Sequence, residues 1–165
     1  MEEILDVINE KNEVLRQAPR KEVEEKGLLY RSAQIFVYYN NKIIIEKRSM
    51  NKSKRPGYYS NVGETVKAGE KVEAAAVRGV KEETGLDVQN IKKIGEEIIL
   101  DRTYKDSFLM TLYVCEGKGE IKIQKEEVEN ILLLSIKEIE NLIESGEKVS
   151  PALIKSLEFL KRWKK

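Results

Sequence analysis

Val62-Gly63-Glu64-Thr65-Val66-Lys67-Ala68-Gly69-Glu70 runs directly into Lys71-Val72-Glu73-Ala74-Ala75-Ala76-Val77-Arg78-Gly79-Val80-Lys81-Glu82-Glu83-Thr84-Gly85-Leu86. The first half reads as a loop broken by glycines. In the second half Ala74-Ala75-Ala76 favours helix and Gly85 is a natural stop, which predicts a helix over Glu70 to Thr84. At about 100° per residue, with position 79 set to zero, Val72, Ala76, Val80 and Val77 fall in one arc from roughly 20° to 160°. That arc is a face for a core. Glu83 lies near 40° and Glu82 near 300°, so two carboxylates flank position 79 where the helix meets the core. Partly buried carboxylates repel one another unless a cation sits between them. The competing reading is a solvated acidic face on which Arg78 pairs with Glu82 at i, i+4.

Outward from this stretch, the upstream chain holds a strong hairpin signal. Ala33 to Tyr39 is β-branched and aromatic, Asn40-Asn41 supplies the turn, and Lys42 to Lys47 resumes the strand. Glu3 to Asn9 and Val14 to Gln17 read as a shorter hairpin, and Lys21 to Lys26 as exposed charge. Ser49 to Gly57 is a polar, basic loop, and Tyr58 to Val62 a short strand leading into Gly63. Downstream, Ile91 to Leu100, Ser107 to Glu116 and Ile131 to Leu134 read as strands. Ile136 to Glu144 and Pro151 to Trp163 read as helices, the second with Pro151 in its first turn after Ser150. The sum is an α/β fold, a sheet with helices packed on it. It is expected as one domain over 1–165, with an N-terminal strand or hairpin extension over 1–26 and C-terminal helices over 135–163.

The chain has 165 residues, 30 basic against 29 acidic, a net charge of +1, and no histidine. Near-neutral charge argues against general nucleic-acid binding, which needs excess positive charge. The missing histidine excludes a Ser–His–Asp triad, a Cys–His pair, a His-ligated zinc site and a histidine pH switch. A metal site built from this chain is all-oxygen and suits Mg²⁺, Mn²⁺ or Ca²⁺. The one cysteine, Cys115, cannot form an internal disulfide, which fits a cytoplasmic setting, and its apolar run reads as a buried strand. No apolar stretch approaches the roughly 20 residues needed to cross a bilayer, and the acidic start lacks the features of a signal peptide.

The spacing from Glu64 to Leu86 resembles the box of the Nudix (MutT-like) hydrolases, G-x₅-E-x₇-R-E-U-x-E-E-x-G-U, with U a bulky aliphatic. Glu70, Arg78, Val80, Glu82, Glu83, Gly85 and Leu86 fill seven of its nine specified slots. Further stretches are similar to the isopentenyl-diphosphate isomerase branch: Met1 to Asp6, Gly27 to Ser32, Lys47-Arg48, and Lys52 before Pro56-Gly57. Glu126-Glu127-Val128 before the strand at Ile131 is also usual in the family. The resemblance implies a mixed sheet sandwiched between helices. It implies a small-molecule diphosphate or nucleotide substrate, with hydrolysis of a pyrophosphate bond in a nucleoside diphosphate linked to another group. It further implies Mg²⁺ or Mn²⁺ on the box glutamates. An acidic helix binds an anionic diphosphate only through bridging cations, which lower the pKa of bound water so that a carboxylate can remove its proton. Glu82, Glu83, Glu70 and Arg78 become the candidate catalytic residues. Glu82, Glu83, Glu64 and Gly63 are the candidate metal site, and Arg48, Lys47 and Lys52 the candidate phosphate contacts, with Glu127 beside them. Lys54 and Arg55 are expected to be solvated. Tyr58 and Tyr59 are candidates for stacking on a base or for packing. The C-terminal stripe of Leu153, Ile154, Leu157, Leu160 and Trp163 either covers the core or meets a second copy in a homodimer.

Two slots fail: the opening Gly is Glu64, and the Glu after Arg78 is Gly79. Either the site is weakened, leaving a slow hydrolase or a silent module that holds a nucleotide or diphosphate, or the ligand has moved. A hydrogen at 79 leaves room for a carboxylate arriving from the loop at 64. Isopentenyl-diphosphate isomerases use histidine ligands and a catalytic cysteine. Their histidine slots hold Tyr30 and Thr65 here, so the likeness to that branch is architectural.

Overall fold

The computed structural model describes residues 2–164. A hairpin of β1 (Ile4–Ile8) and β2 (Val14–Pro19) opens it, followed by a short helix α1 (Arg20–Lys26). The segment expected only as exposed charge thus forms a helix, because Val23 can be buried beneath it at 1% exposure. Gly27 ends that helix in the left-handed region, at φ 64°.

Strands β3 (Leu29–Tyr39) and β4 (Lys42–Arg48) turn back through Asn40 and Asn41, at φ 52° and 63°. Both residues occupy the left-handed backbone that asparagine tolerates best after glycine, as the hairpin signal requires. The two strands pair only at Tyr38–Ile43 and Tyr39–Lys42, then part. β4 goes on to pair with β5 (Tyr59–Ser60), whereas β3 takes β6 (Val62–Thr65) as partner. The single strand expected over Tyr58 to Val62 is therefore split at Asn61, because its two halves serve different strands.

Helix α2 (Val72–Thr84) begins two residues later than its composition predicts and leaves Glu70 in the preceding turn. Gly85 stops it at φ 80°. Strands β7 (Asp87–Asp101) and β8 (Asp106–Lys118) are longer than their apolar runs, because they pair with each other over their whole length. β8 also runs parallel to β3 from Leu29 to Tyr38, and β9 (Val128–Leu134) pairs with β4. Helices α3 (Ile136–Glu144) and α4 (Pro151–Trp163) complete the chain.

The result is the expected mixed sheet between helices. On one face Ile35, Val37 and Ile44 pack with Ala76 and Val80 of α2. On the other, Phe36, Ile43 and Ile45 pack with Ile139 of α3 and Leu153, Leu157 and Leu160 of α4. Ile154 and Trp163 stay 41% and 45% exposed, so only part of the C-terminal stripe covers the core. Val77, assigned to the core face of α2, is 42% exposed, since the buried arc is centred on Ala75, Ala76, Gly79 and Val80. Cys115 is buried on β8 as expected, and burial pushes its thiol up to about 12. No helix among the described residues is long and apolar enough to cross a membrane.

The N-terminal hairpin reaches across to the turn before α2. The Ala68 N–H donates to the Ile4 carbonyl at 2.8 Å, and the Gly69 N–H to Asp6 Oδ2 at 3.0 Å. Val66 N–H is held in turn by the Arg31 carbonyl at 3.0 Å. These bonds tie the turn before α2 to β1 and β3.

Candidate functional site

A cavity of about 540 Å³ opens beside the point where β3 and β4 part. Glu46 of β4, Gln34 of β3, Gly63 and Glu64 of β6, and Arg78, Glu82 and Glu83 of α2 all line it. Asn61, the residue between the two split strands, lines it too and is 1% exposed with both side-chain polar atoms unpartnered. Arg48, Lys52, Lys54, Arg55 and Glu127 supply the wall on the side of the 49–57 loop.

Arg78 organises the box end of the cavity. Its Nε and Nη2 donate to the Glu70 carboxylate at 3.1 and 2.9 Å, and Nη2 also donates to the Thr65 carbonyl at 3.0 Å. Glu70 accepts in addition from the Lys67 N–H at 3.0 Å. The Arg78 guanidinium holds the Glu70 carboxyl below its ordinary value. Glu70 does not line the cavity; it anchors Arg78, which bridges the β6 end to α2. From there Arg78 Nη1 reaches Glu64 Oε2 at 3.4 Å and Glu82 Oε2 at 3.5 Å.

Glu46, Glu64, Glu82 and Glu83 stand close together, contributed by three elements. Glu46 is 4% exposed, and no donor among the described residues meets its Oε2. Its carboxyl faces that of Glu83, and a single proton or a cation would join the two. Burial pushes Glu46 up to about 7, with the charges of Glu64 and Glu127 adding to the effect. Burial and then the charge of Glu83 push Glu64 up to about 8. Burial and the Glu46 charge hold Glu83 well above the ordinary carboxylate range. An all-oxygen set of opposed carboxylates with one buried, donor-free oxygen suits a hard divalent cation. Among the described residues, no three of these carboxylates already surround one point: Glu64 and Glu82 lean onto Arg78, and Glu83 onto Glu46.

Gly63 lies opposite Gln34 in the β3–β6 ladder, where an added Cβ would stand 2.5 Å from Gln34 Nε2. Arg48 lines the cavity, but its Nε and Nη2 are spent on the carbonyls of Lys54 and Arg55, at 2.8 to 3.2 Å. It braces the 49–57 loop as much as it faces the cavity. Lys52 pairs with Glu127 at the mouth. Lys47 is not brought to the site: it projects from the opposite face of β4, over the Tyr59 ring at 5.9 Å and near Glu129 at 3.4 Å. Tyr58 stands edge-on to Tyr104, and Tyr59 packs on the α3–α4 side; neither lines the cavity.

Lys54 and Arg55 are not solvated. Arg55 donates to Asp101 Oδ2 at 3.1 Å and to Asp106 Oδ2 at 3.0 Å, and Lys54 lies 3.4 Å from Asp106 Oδ1. Tyr30 donates its hydroxyl to the same Asp106 oxygen at 2.8 Å. This network clips the loop onto the β7–β8 hairpin. Sequence reasoning missed Glu46, Gln34, Asn61 and the two aspartates. For Glu46 a signal existed: it follows Ile44 by two, and Ile44 faces α2.

The NUDIX domain profile matches residues 29–157 of the chain. An Escherichia coli K12 protein described as the uncharacterized Nudix hydrolase YfcD is 29% identical over 139 residues, 83% of this chain and 76% of that protein. The crystal structure of DR0079 from Deinococcus radiodurans superposes with a TM-score of 0.78 at 22% identity, over 94% of this chain and 98% of that one. The NUDIX domain of Shewanella oneidensis NrtR, solved with ADP ribose, superposes with a TM-score of 0.65 at 11% identity, over 83% and 88%.

Proposed function

The chain belongs to the Nudix family, and on that premise we propose that it is a divalent-cation-dependent pyrophosphohydrolase that cleaves a nucleoside diphosphate linked to another group. The observation that carries this reading is the group of opposed carboxylates, Glu46, Glu64, Glu82 and Glu83, at one end of a cavity whose other wall is basic.

In this reading Glu82 and Glu83 hold Mg²⁺ or Mn²⁺, with Glu64 and the backbone of Gly63 beside them. The bound cation supplies charge neutralisation at the diphosphate and a lowered pKa for the attacking water. Glu70 and Arg78 act by position: their bidentate pair fixes the start of α2 against β6, so that the glutamates face the cavity. Glu46, which lines the cavity beside Glu83, would serve as the base that takes the proton of the water. Lys52 and Glu127 pair at the mouth, where an entering diphosphate competes with the carboxylate for the ammonium. Arg48 keeps the basic loop in register. Lys47 points away from the cavity and is given no role in this reading.

The deciding experiment follows phosphate or nucleoside-monophosphate release with Mg²⁺ and with Mn²⁺. The panel is ADP-ribose, dinucleoside polyphosphates, NADH, nucleoside triphosphates and CoA. ADP-ribose leads it because the NrtR domain was solved with that ligand. Cation-dependent release from one member supports the proposal. A folded protein that binds one of these compounds and releases nothing is a binding module instead.

A further inference from the structure

The position that interrupts α2 and the carboxylate that departs from the box pattern occupy the same space. A Cβ built on Gly79 would lie 2.6 Å from the Glu64 Cβ, 3.1 Å from its Cγ and 3.4 Å from its Oε2. No heavy-atom side chain fits at 79 while Glu64 stands where it does. Gly79 is buried in the middle of a helix, where glycine is among the poorest choices, so the clearance it provides is what distinguishes it from alanine there. We propose that Glu64 is a divalent-cation ligand, reaching the carboxylate cluster from β6 through the clearance that Gly79 leaves on α2.

Two contacts aim the carboxylate. Its Oε1 accepts from the Thr65 N–H at 3.1 Å, and its Oε2 stands 3.4 Å from Arg78 Nη1. Arg78 is in turn fixed by Glu70. Glu64 is 15% exposed and borders Glu82 and Glu83, an arrangement of like charges that gains from a cation. Independently, Glu46 Oε2 is buried without a donor and lines the same cavity. A bare loss of a ligand at 79 would leave the gain of a carboxylate at 64 without a purpose; an exchange accounts for both. The inference deepens the hydrolase reading and rests on its requirement for a cation.

The test is a titration of the full chain with Mn²⁺ alone, followed by the electron paramagnetic resonance signal of the free ion. The proteins are the parent, Glu64→Gln, Gly79→Glu and the exchanged pair Glu64→Gly with Gly79→Glu. Glu64→Gln is expected to weaken Mn²⁺ binding by about tenfold or more. Gly79→Glu alone weakens it by forcing Glu64 aside, and the exchanged pair recovers most of the loss. Glu64→Gln binding Mn²⁺ as the parent does overturns the proposal, as does an exchanged pair no better than Gly79→Glu. Should the exchanged pair fail to fold, Glu64→Gln, which keeps the shape of the side chain, decides alone. Affinity that depends on Glu64 in a protein that hydrolyses nothing upholds the ligand and overturns the hydrolase. Cation-dependent hydrolysis with affinity indifferent to Glu64 does the reverse. A parent that binds no Mn²⁺ overturns both.

Discussion

Replacing Arg55 by methionine removes the cation that joins two buried aspartates. The Asp101 side chain is 7% exposed, and its salt bridge is to Arg55 at 3.1 Å. The Asp106 side chain is 1% exposed and keeps two other partners, the Tyr30 hydroxyl at 2.8 Å and the Lys54 ammonium at 3.4 Å. Breaking a buried pair from one side costs about 3–5 kcal/mol, because an uncompensated charge stays behind. The surviving partners of Asp106 place the cost at the lower end, about 3 kcal/mol. For a chain of this size each kcal/mol moves the melting temperature by about 2–4 °C, so Arg55→Met is expected to melt about 6–12 °C below the parent. Adding Asp101→Asn removes the stranded charge and should return roughly half of the loss. The assay is thermal unfolding followed by circular dichroism at pH 7 in moderate salt. A fall of less than about 2 °C, the scale of an exposed ion pair, would refute the claim that this arginine clips the basic loop to the β7–β8 hairpin.

Three further outcomes follow from the same structure. The metal-free protein should lose stability as pH rises from about 4.5 to about 8, because Glu46 and Glu64 have folded pKa values of about 7 and about 8 against an ordinary 4.5. In that window the folded state binds more protons than the unfolded one, so stability must fall with pH; urea midpoints at pH 5 and pH 8 that coincide would contradict it. Ser150→Ala removes the hydroxyl that accepts from the Leu153 N–H at 3.1 Å at the start of α4 and should cost about 1 kcal/mol in urea denaturation. Cys115, with its thiol at about 12 and 2% exposed, should resist iodoacetamide at pH 8 in the folded protein and react promptly in urea, as mass spectrometry would read.

The fold was legible wherever a local rule decided it. The Asn40-Asn41 turn, the alternation around it, the Gly85 stop and the Ser150-Pro151 start each need only neighbouring residues. The start of α2 escaped because Glu70 is drawn away by Arg78, eight positions later, into a turn closed by its own N–H on the Lys67 carbonyl. Lys47 and Arg48 read alike as adjacent basic residues. Strand parity separates them: Lys47 follows Ile43 and Ile45 to the face covered by α3 and α4. The same parity places Glu46 beneath α2. Lys54 and Arg55 were beyond any local rule, since the aspartates that bury Arg55 lie 46 and 51 residues further on. Asn61 carried no signal at all, because its burial follows from two strands exchanging partners around it.

The hairpin that precedes residue 29 lies outside the stretch matched by the family profile, yet it supplies the acceptors for the Ala68 and Gly69 N–H groups. A boundary drawn by the profile and one drawn by hydrogen bonding therefore disagree by the whole of β1, β2 and α1. Excising the matched stretch alone would leave two amides at the root of the acidic helix to be met by water and would loosen the helix's tether to the sheet. In this protein the segment before the profile serves as a keystone: the matched stretch leans on it to hold the turn from which the acidic helix starts.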